Sequence, residues 1–222
     1  MRARRGWQVR SRPRSSSIAS MVAARVLEVP PPVPEEADRR IILSDVSWWQ
    51  YEAMLAIRGD RPAPRLTYLE GDLELMSPSR NHETLKTLLA RLLEAYADVA
   101  DLELEGYGSM TMRSAPKARG IEPDECYAVG GPKEYPDLAI EVVWTHGGLD
   151  KLEVYRGLGV REVWLWKDQE LSVHVLRGGA YVAVERSEVL PDIDLRLLAS
   201  FLDAESQTQA VRGYRSALAR RP

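Results

Sequence analysis

Phenylalanine is nearly missing from this chain: one Phe in 222 residues, against six Trp and nine Tyr. Cysteine is as scarce. The single Cys126 excludes an internal disulfide and directs the expectation to a reducing compartment, the cytoplasm. Three histidines, scattered at His82, His146 and His174, do not combine with one cysteine into a zinc site. No apolar run approaches the ~20 residues of a spanning helix, so a membrane partner is not expected. The glycines at 106, 108, 157 and 159 do not form a phosphate-loop pattern. A basic surplus is missing too. The net charge is −3, and residues 1–20 hold six arginines and no acid, which leaves 24 basic against 33 acidic residues in the remainder. A nucleic-acid binder draws most of its affinity from neutralised phosphates, so such a role here must rest on a local patch.

What is present is the composition of a folded protein. Apolar residues make up 45% and charged residues 28%, in a chain long enough for one core with appendages. Residues 1–40 do not read as folded, because an Arg/Ser stretch runs into Val29-Pro30-Pro31-Pro32-Val33-Pro34. A disordered basic arm or a start set upstream of Met21 is preferred over a targeting segment, since the apolar core of a secretory signal is missing. Residues 41–203 read as one domain and 204–222 as a polar C-terminal tail.

Within the domain, Ser47-Trp48-Trp49-Gln50 fits a capping box and predicts a helix to about Ile57. Leu66 to Met76 reads as a hairpin turning at Gly71. Leu85, Leu88, Leu89, Leu92, Leu93 and Tyr96 recur at helical spacing. Strands are expected at 102–107, 109–113, Ile121 to Tyr127 and 137–144, then a short helix at 149–157 and a strand at 160–166. A hairpin around Gly178-Gly179 and a last helix from Leu195 to Leu202 follow. The fold class is mixed α/β (α+β), a central mixed β-sheet flanked by helices.

The chemistry lies in three short segments. Glu122-Pro123-Asp124-Glu125 and Asp137 to Val143 each carry an acid at the end of an apolar run, and Gly147-Gly148-Leu149-Asp150-Lys151 opens the next helix. Glu141 interrupts an otherwise apolar strand, which is costly without compensation. Asp124 and Glu141 are candidates to anchor Mg²⁺ (or Mn²⁺), with the backbone carbonyl of Val142 completing the protein's share. Lys151 is the ammonium available to a metal-bound water. His82 and Glu83, at the start of the long helix, are accessory candidates.

The order of Pro123-Asp124, an apolar strand ending in Glu141, and Lys151 resembles the PD-(D/E)XK nuclease superfamily. The text is most similar to its Uma-two type restriction-endonuclease branch of bacteria. Glu70 to Pro78 with His82, Pro136 to Val143, and Lys151 with Tyr155 and Gly159 to Trp164 carry the likeness, over about residues 44–203. It implies a restriction-endonuclease-like fold and a Mg²⁺-dependent nuclease site of Asp124, Glu141 and Lys151, acting on nucleic acid, DNA first. The superfamily's usual lysine stands two residues beyond the strand acid, where this chain has Val143, so the likeness requires a lysine that has moved to the helix.

Each residue also has a plainer reading. Asp124 would cap a turn after Pro123, Glu141 would pair with a buried arginine, and Lys151 would be a solvated surface charge. Cys126 reads as core on the strand face of Asp124. Trp48 and Trp49 cannot both face inward, a hint of a homodimer. The functional alternatives are a catalytically silent nuclease-fold protein that binds nucleic acid or a partner, and an enzyme acting on another phosphorylated substrate.

Overall fold

The computed structural model describes residues 37–144 and 147–220. The N-terminal arm expected over residues 1–40 therefore falls almost wholly outside the described residues, as does His146. The described chain opens with strand β1 (Arg39–Leu43), helix α1 (Trp48–Arg58) and the hairpin β2 (Arg65–Leu69) and β3 (Asp72–Ser77). Helix α2 (Arg80–Ala100) follows, then β4 (Leu104–Gly106), β5 (Met112–Ser114), β6 (Arg119–Ile121), β7 (Glu125–Val129) and β8 (Leu138–Val143). Helix α3 (Lys151–Leu158), strands β9 (Glu162–Lys167), β10 (Glu170–Arg177) and β11 (Ala180–Val184), and helices α4 (Leu195–Ala199) and α5 (Gln207–Leu218) complete it.

Local signals account for most boundaries. The Ser47–Gln50 capping box forms, and its reciprocal bonds satisfy two backbone donors that the start of α1 would leave unpaired. Ser79 caps α2 through His82 N–H, and Asp150 caps α3 through Glu153 N–H. The β10–β11 turn uses Gly178 and Gly179 at positive φ, as a two-residue hairpin demands.

Two sheets form, not one. β1-β3-β2-β6-β5 is antiparallel throughout. β11-β10-β9-β8-β7-β4 is mixed: β8 and β9 are parallel, joined by the α3 crossover, and its other pairs are antiparallel. The strand expected from Ile121 to Tyr127 is in fact two, in different sheets. Pro123 has no N–H to give a ladder, so the chain leaves one sheet at Ile121 and enters the other at Glu125. Asp124 sits in that switch rather than on a strand face beside Cys126.

Alternation along each strand sets the layers. Leu138, Ile140 and Val142 of β8 pack with the leucine stripe of α2 and with Trp164 and Trp166 in the largest core. Ala139 of β8 faces the other way, with Cys126, toward Val154 and Tyr155 of α3. Tyr51 of α1 packs on Leu66, Tyr68 and Leu73, so α1 covers the outer face of the first sheet. The inner face of that sheet (Arg65, Thr67, Glu74) turns toward the second. A strand buried on both sides reads as a continuous apolar run, which is why Glu141 stands out in β8.

The segment after Ala204, expected as a polar tail, forms α5 against α2, with Ala210 and Tyr214 buried. Its apolar stripe is narrow and polar residues dominate its composition, so the average hides the buried face.

Candidate functional site

The two acids occupy opposed positions on neighbouring chain segments. β7 and β8 pair Glu125 with Ile140, so one residue further along the ladder Asp124 stands beside Glu141. Both carboxylates are fully buried. A buried carboxylate is tolerated only with charge and hydrogen-bond compensation, and each acid has a complete set.

Asp124 is held from three elements. The Arg65 guanidinium of β2 bonds Oδ1, and His82 Nε2 of α2 lies 2.9 Å from the same oxygen. Oδ2 accepts from the backbone N–H of Val142 at 2.6 Å. The Val142 group that reaches Asp124 is thus its N–H. Glu83 joins indirectly: its Oε1 accepts from Arg65 at 2.6 Å, so the arginine bridges Glu83 and Asp124.

Behind His82 lies a residue that sequence reading passed over. Asp38 Oδ2 is 3.1 Å from His82 Nδ1, and its Oδ1 accepts from Ser79 N–H at 2.8 Å. His82 is therefore clamped between two carboxylates. Burial alone would push the Asp38 carboxyl up, but the bonds from His82 and Ser79 outweigh it and hold the group below its ordinary value.

Glu141 turns to the opposite face of β8. Its Oε2 lies 2.5 Å from Lys151 Nζ, and its Oε1 accepts from the Tyr155 hydroxyl. Lys151 and Tyr155 are four residues apart on α3 and so share a face. The Lys151 side chain is only 13% exposed, which sets aside the surface-charge reading. The cation paired with Glu141 is this lysine, where the plainer reading expected an arginine. Burial, reinforced by the Glu141 charge, keeps the Tyr155 phenol protonated far above its ordinary range, so it remains a donor.

A second buried acid fixes the approach to Lys151. Glu74 of β3 accepts from Leu149 N–H at 2.8 Å and pairs with Arg40 at 3.1 Å. A Cβ on Gly148 would stand 2.6 Å from the Glu74 carboxylate, so only glycine lets this segment pass so close.

Three other polar residues make their contacts elsewhere. Asp137 is tied to Lys133, Arg161 and Val129 N–H at a strand start. Cys126 is core, its thiol pushed up to about 12 by burial and the Glu125 charge, too high for a nucleophile. His174 contacts Ser172, away from the acids.

Among the described residues no three Asp, Glu, His or Cys side chains converge into a cage for a metal. Two buried carboxylates are nevertheless the kind of share Mg²⁺ takes from a protein, since it keeps several waters. The donor set suits a hard cation and not zinc. No described helix is long and apolar enough to cross a membrane.

The crystal structure of a putative nuclease from Anabaena variabilis ATCC 29413 is similar at 13% identity and a TM-score of 0.44, covering 68% of this chain and 92% of that one. No curated protein matches the chain. The Uma2 family, described as putative restriction endonuclease, matches residues 48–205, a span that takes in Asp124, Glu141 and Lys151. This chain belongs to the Uma2 family.

Proposed function

We propose that the protein is a metal-dependent endonuclease that hydrolyses phosphodiester bonds in DNA. The observation that carries this reading is the buried Glu141 carboxylate with Lys151 Nζ at 2.5 Å, on the strand next to Asp124. Asp124 and Glu141 would hold Mg²⁺ or Mn²⁺, which supplies Lewis-acid polarisation of the phosphate and a more acidic bound water.

The chain's own groups have distinct tasks. Arg65, His82 and the Val142 N–H fix Asp124, so its carboxylate is oriented before any ligand arrives. Tyr155 donates to Glu141 and fixes the second carboxylate. Lys151 brings a positive charge to the place where the phosphate gains negative charge, and its Nζ is placed to hold or release a proton beside the attacking water. In plasmid incubated with Mn²⁺, wild type is expected to nick and Glu141→Ala to lose the activity. No nicking by wild type, or undiminished nicking by Glu141→Ala, rejects the reading.

A second reading has its own support. Lys151 and Arg65 are both paired with acids, and the chain beyond residue 20 is acidic, which fits a catalytically silent relative that binds nucleic acid or a partner. Metal titration without nicking would favour it. We also propose a homodimer, on the exposure of Trp49 at 74% and Ile57 at 68% on α1. Sedimentation of wild type against Trp49→Ser tests it: a monomer at every concentration of wild type refutes it.

A further inference from the structure

The outer face of the first sheet carries the three most exposed large apolar side chains among the described residues: Trp49 at 74%, Ile57 at 68% and Ile41 at 62%. Trp49 and Ile57 lie on α1, which packs on that face through Tyr51. Ile41 is the register partner of Leu75, and Leu75 belongs to the cluster beneath α1, so Ile41 points the same way. Exposed single apolar residues are ordinary, whereas three on one face mark a contact surface.

Beside α1 lies a cavity of about 190 Å³, lined by Met54, Ile57, Leu66 and Leu75 together with Arg58 and Arg61. An apolar cavity of about 150 Å³ holds one benzene ring, so this one has room for an aromatic side chain. Trp49, Ala53 and Ile57 are spaced by four and form one ridge of the helix, and Met54 and Arg58 stand on the next. The cavity lies where Ile57 faces that second ridge. Helix α1 therefore has a knob, Trp49, at one end of a ridge and a socket at the other, with the small Ala53 midway. Such a surface is complementary to itself, the condition of a two-fold interface. When two copies of the ridge cross antiparallel at Ala53, each Trp49 stands over the other copy's Ile57, four residues or about 6 Å from the axis. Ridge-into-groove contact of this kind is the commonest way in which helices pack.

Two further points favour a second copy as the occupant. An indole face attracts a guanidinium, and two arginines line the socket. The exposed area of Trp49, Ile57, Ile41 and the neighbouring Leu43, summed over two copies, is on the order of 1,000 Å², which is what a specific interface needs. The position also leaves the acids free. Leu66 faces the socket, while Arg65, its neighbour on β2, points to the other face and holds Asp124. Packing at the socket thus leaves the acid pair of each copy uncovered.

We infer that Trp49 of each protomer seats in the socket of Met54, Ile57, Leu66 and Leu75 on a second copy of the chain, in a two-fold antiparallel packing of α1 centred on Ala53. The inference rests on the homodimer reading and adds to it the contact that holds the dimer together.

Sedimentation velocity over a range of concentrations tests it, with full-length wild type, Trp49→Ser, Ile57→Glu and an equal mixture of the two variants. Both side chains are largely exposed, so both variants keep the core. Each variant breaks both knob-and-socket joints of its own dimer, and its dimer is expected to be weaker than wild type by on the order of a thousandfold. The mixture restores one joint, with Trp49 of the Ile57→Glu chain in the intact socket of the Trp49→Ser chain. Its dimer is expected to be only about thirtyfold weaker than wild type. A wild-type dimer that both variants retain overturns the interface and leaves the homodimer reading standing. Variants that dissociate without rescue in the mixture overturn the pairing of Trp49 with the socket. A wild type that is monomeric at every concentration rejects the homodimer and the interface together.

Discussion

Lys151 sets its ammonium 2.5 Å from the fully buried carboxylate of Glu141, and Tyr155, one turn later on the same helix, donates to the other oxygen. A single short helix thus neutralises and orients a charge that its strand could not otherwise bury. Lys151→Met should leave Glu141 without its cation. Breaking a buried pair costs about 3–5 kcal/mol, with the lower end expected because Lys151 keeps some exposure. Urea denaturation should show this loss, and saturating Mn²⁺ should restore more stability to the variant than it adds to wild type. Equal metal effects on both proteins would contradict the assignment of Glu141 as a ligand.

Arg65 is the corresponding cation for Asp124, and it also binds Glu83. Its replacement in Arg65→Met should cost about 3–5 kcal/mol in urea, because two carboxylates lose one partner. A loss below about 1 kcal/mol would mean that His82 and Val142 N–H suffice for Asp124.

Asp137 gives a pH-dependent prediction away from the site. Burial alone would raise its carboxyl, but Lys133, the Val129 N–H and Arg161 outweigh it and hold the group below its ordinary value. A depressed folded value means stability that is present above the unfolded pKa, near 3.8, and is lost as pH falls through the folded one. In urea melts, wild type should exceed Asp137→Asn at pH 7, and the gap should narrow progressively below pH 4. A gap that stays constant down to pH 2 would refute this.

Truncation after Glu205 removes α5 and uncovers the α2 face on which Ala210 and Tyr214 rest. Burying one large side chain is worth about 1.5–3 kcal/mol, so the truncated chain should melt several degrees lower. An unchanged melting temperature would show that α5 adds nothing to the core.

The sequence made the elements with strong local signals readable. The Ser47 capping box, the leucine stripe of α2 and the Gly178-Gly179 turn all lie where their chemistry requires. It also marked Glu141, because a charge within an apolar strand is visible without a structure. Long-range pairing left no such mark. Nothing local says that Pro123 divides one apolar run between two sheets, that Arg65 arrives at Asp124 across 59 residues, or that Asp38 arrives at His82 across 44. Arg65 sits on an alternating strand, where a charge reads as facing solvent, and only the second sheet turns that face inward. The narrow stripe of α5 was hidden by its polar composition.

The most direct test of the account is calorimetric titration of Mn²⁺ into wild type, Asp124→Ala and Glu141→Ala. Saturable binding to wild type that is lost or strongly weakened in both variants is the predicted result. Equal binding by all three proteins, or none by wild type, would contradict the claim that Asp124 and Glu141 together hold a divalent cation.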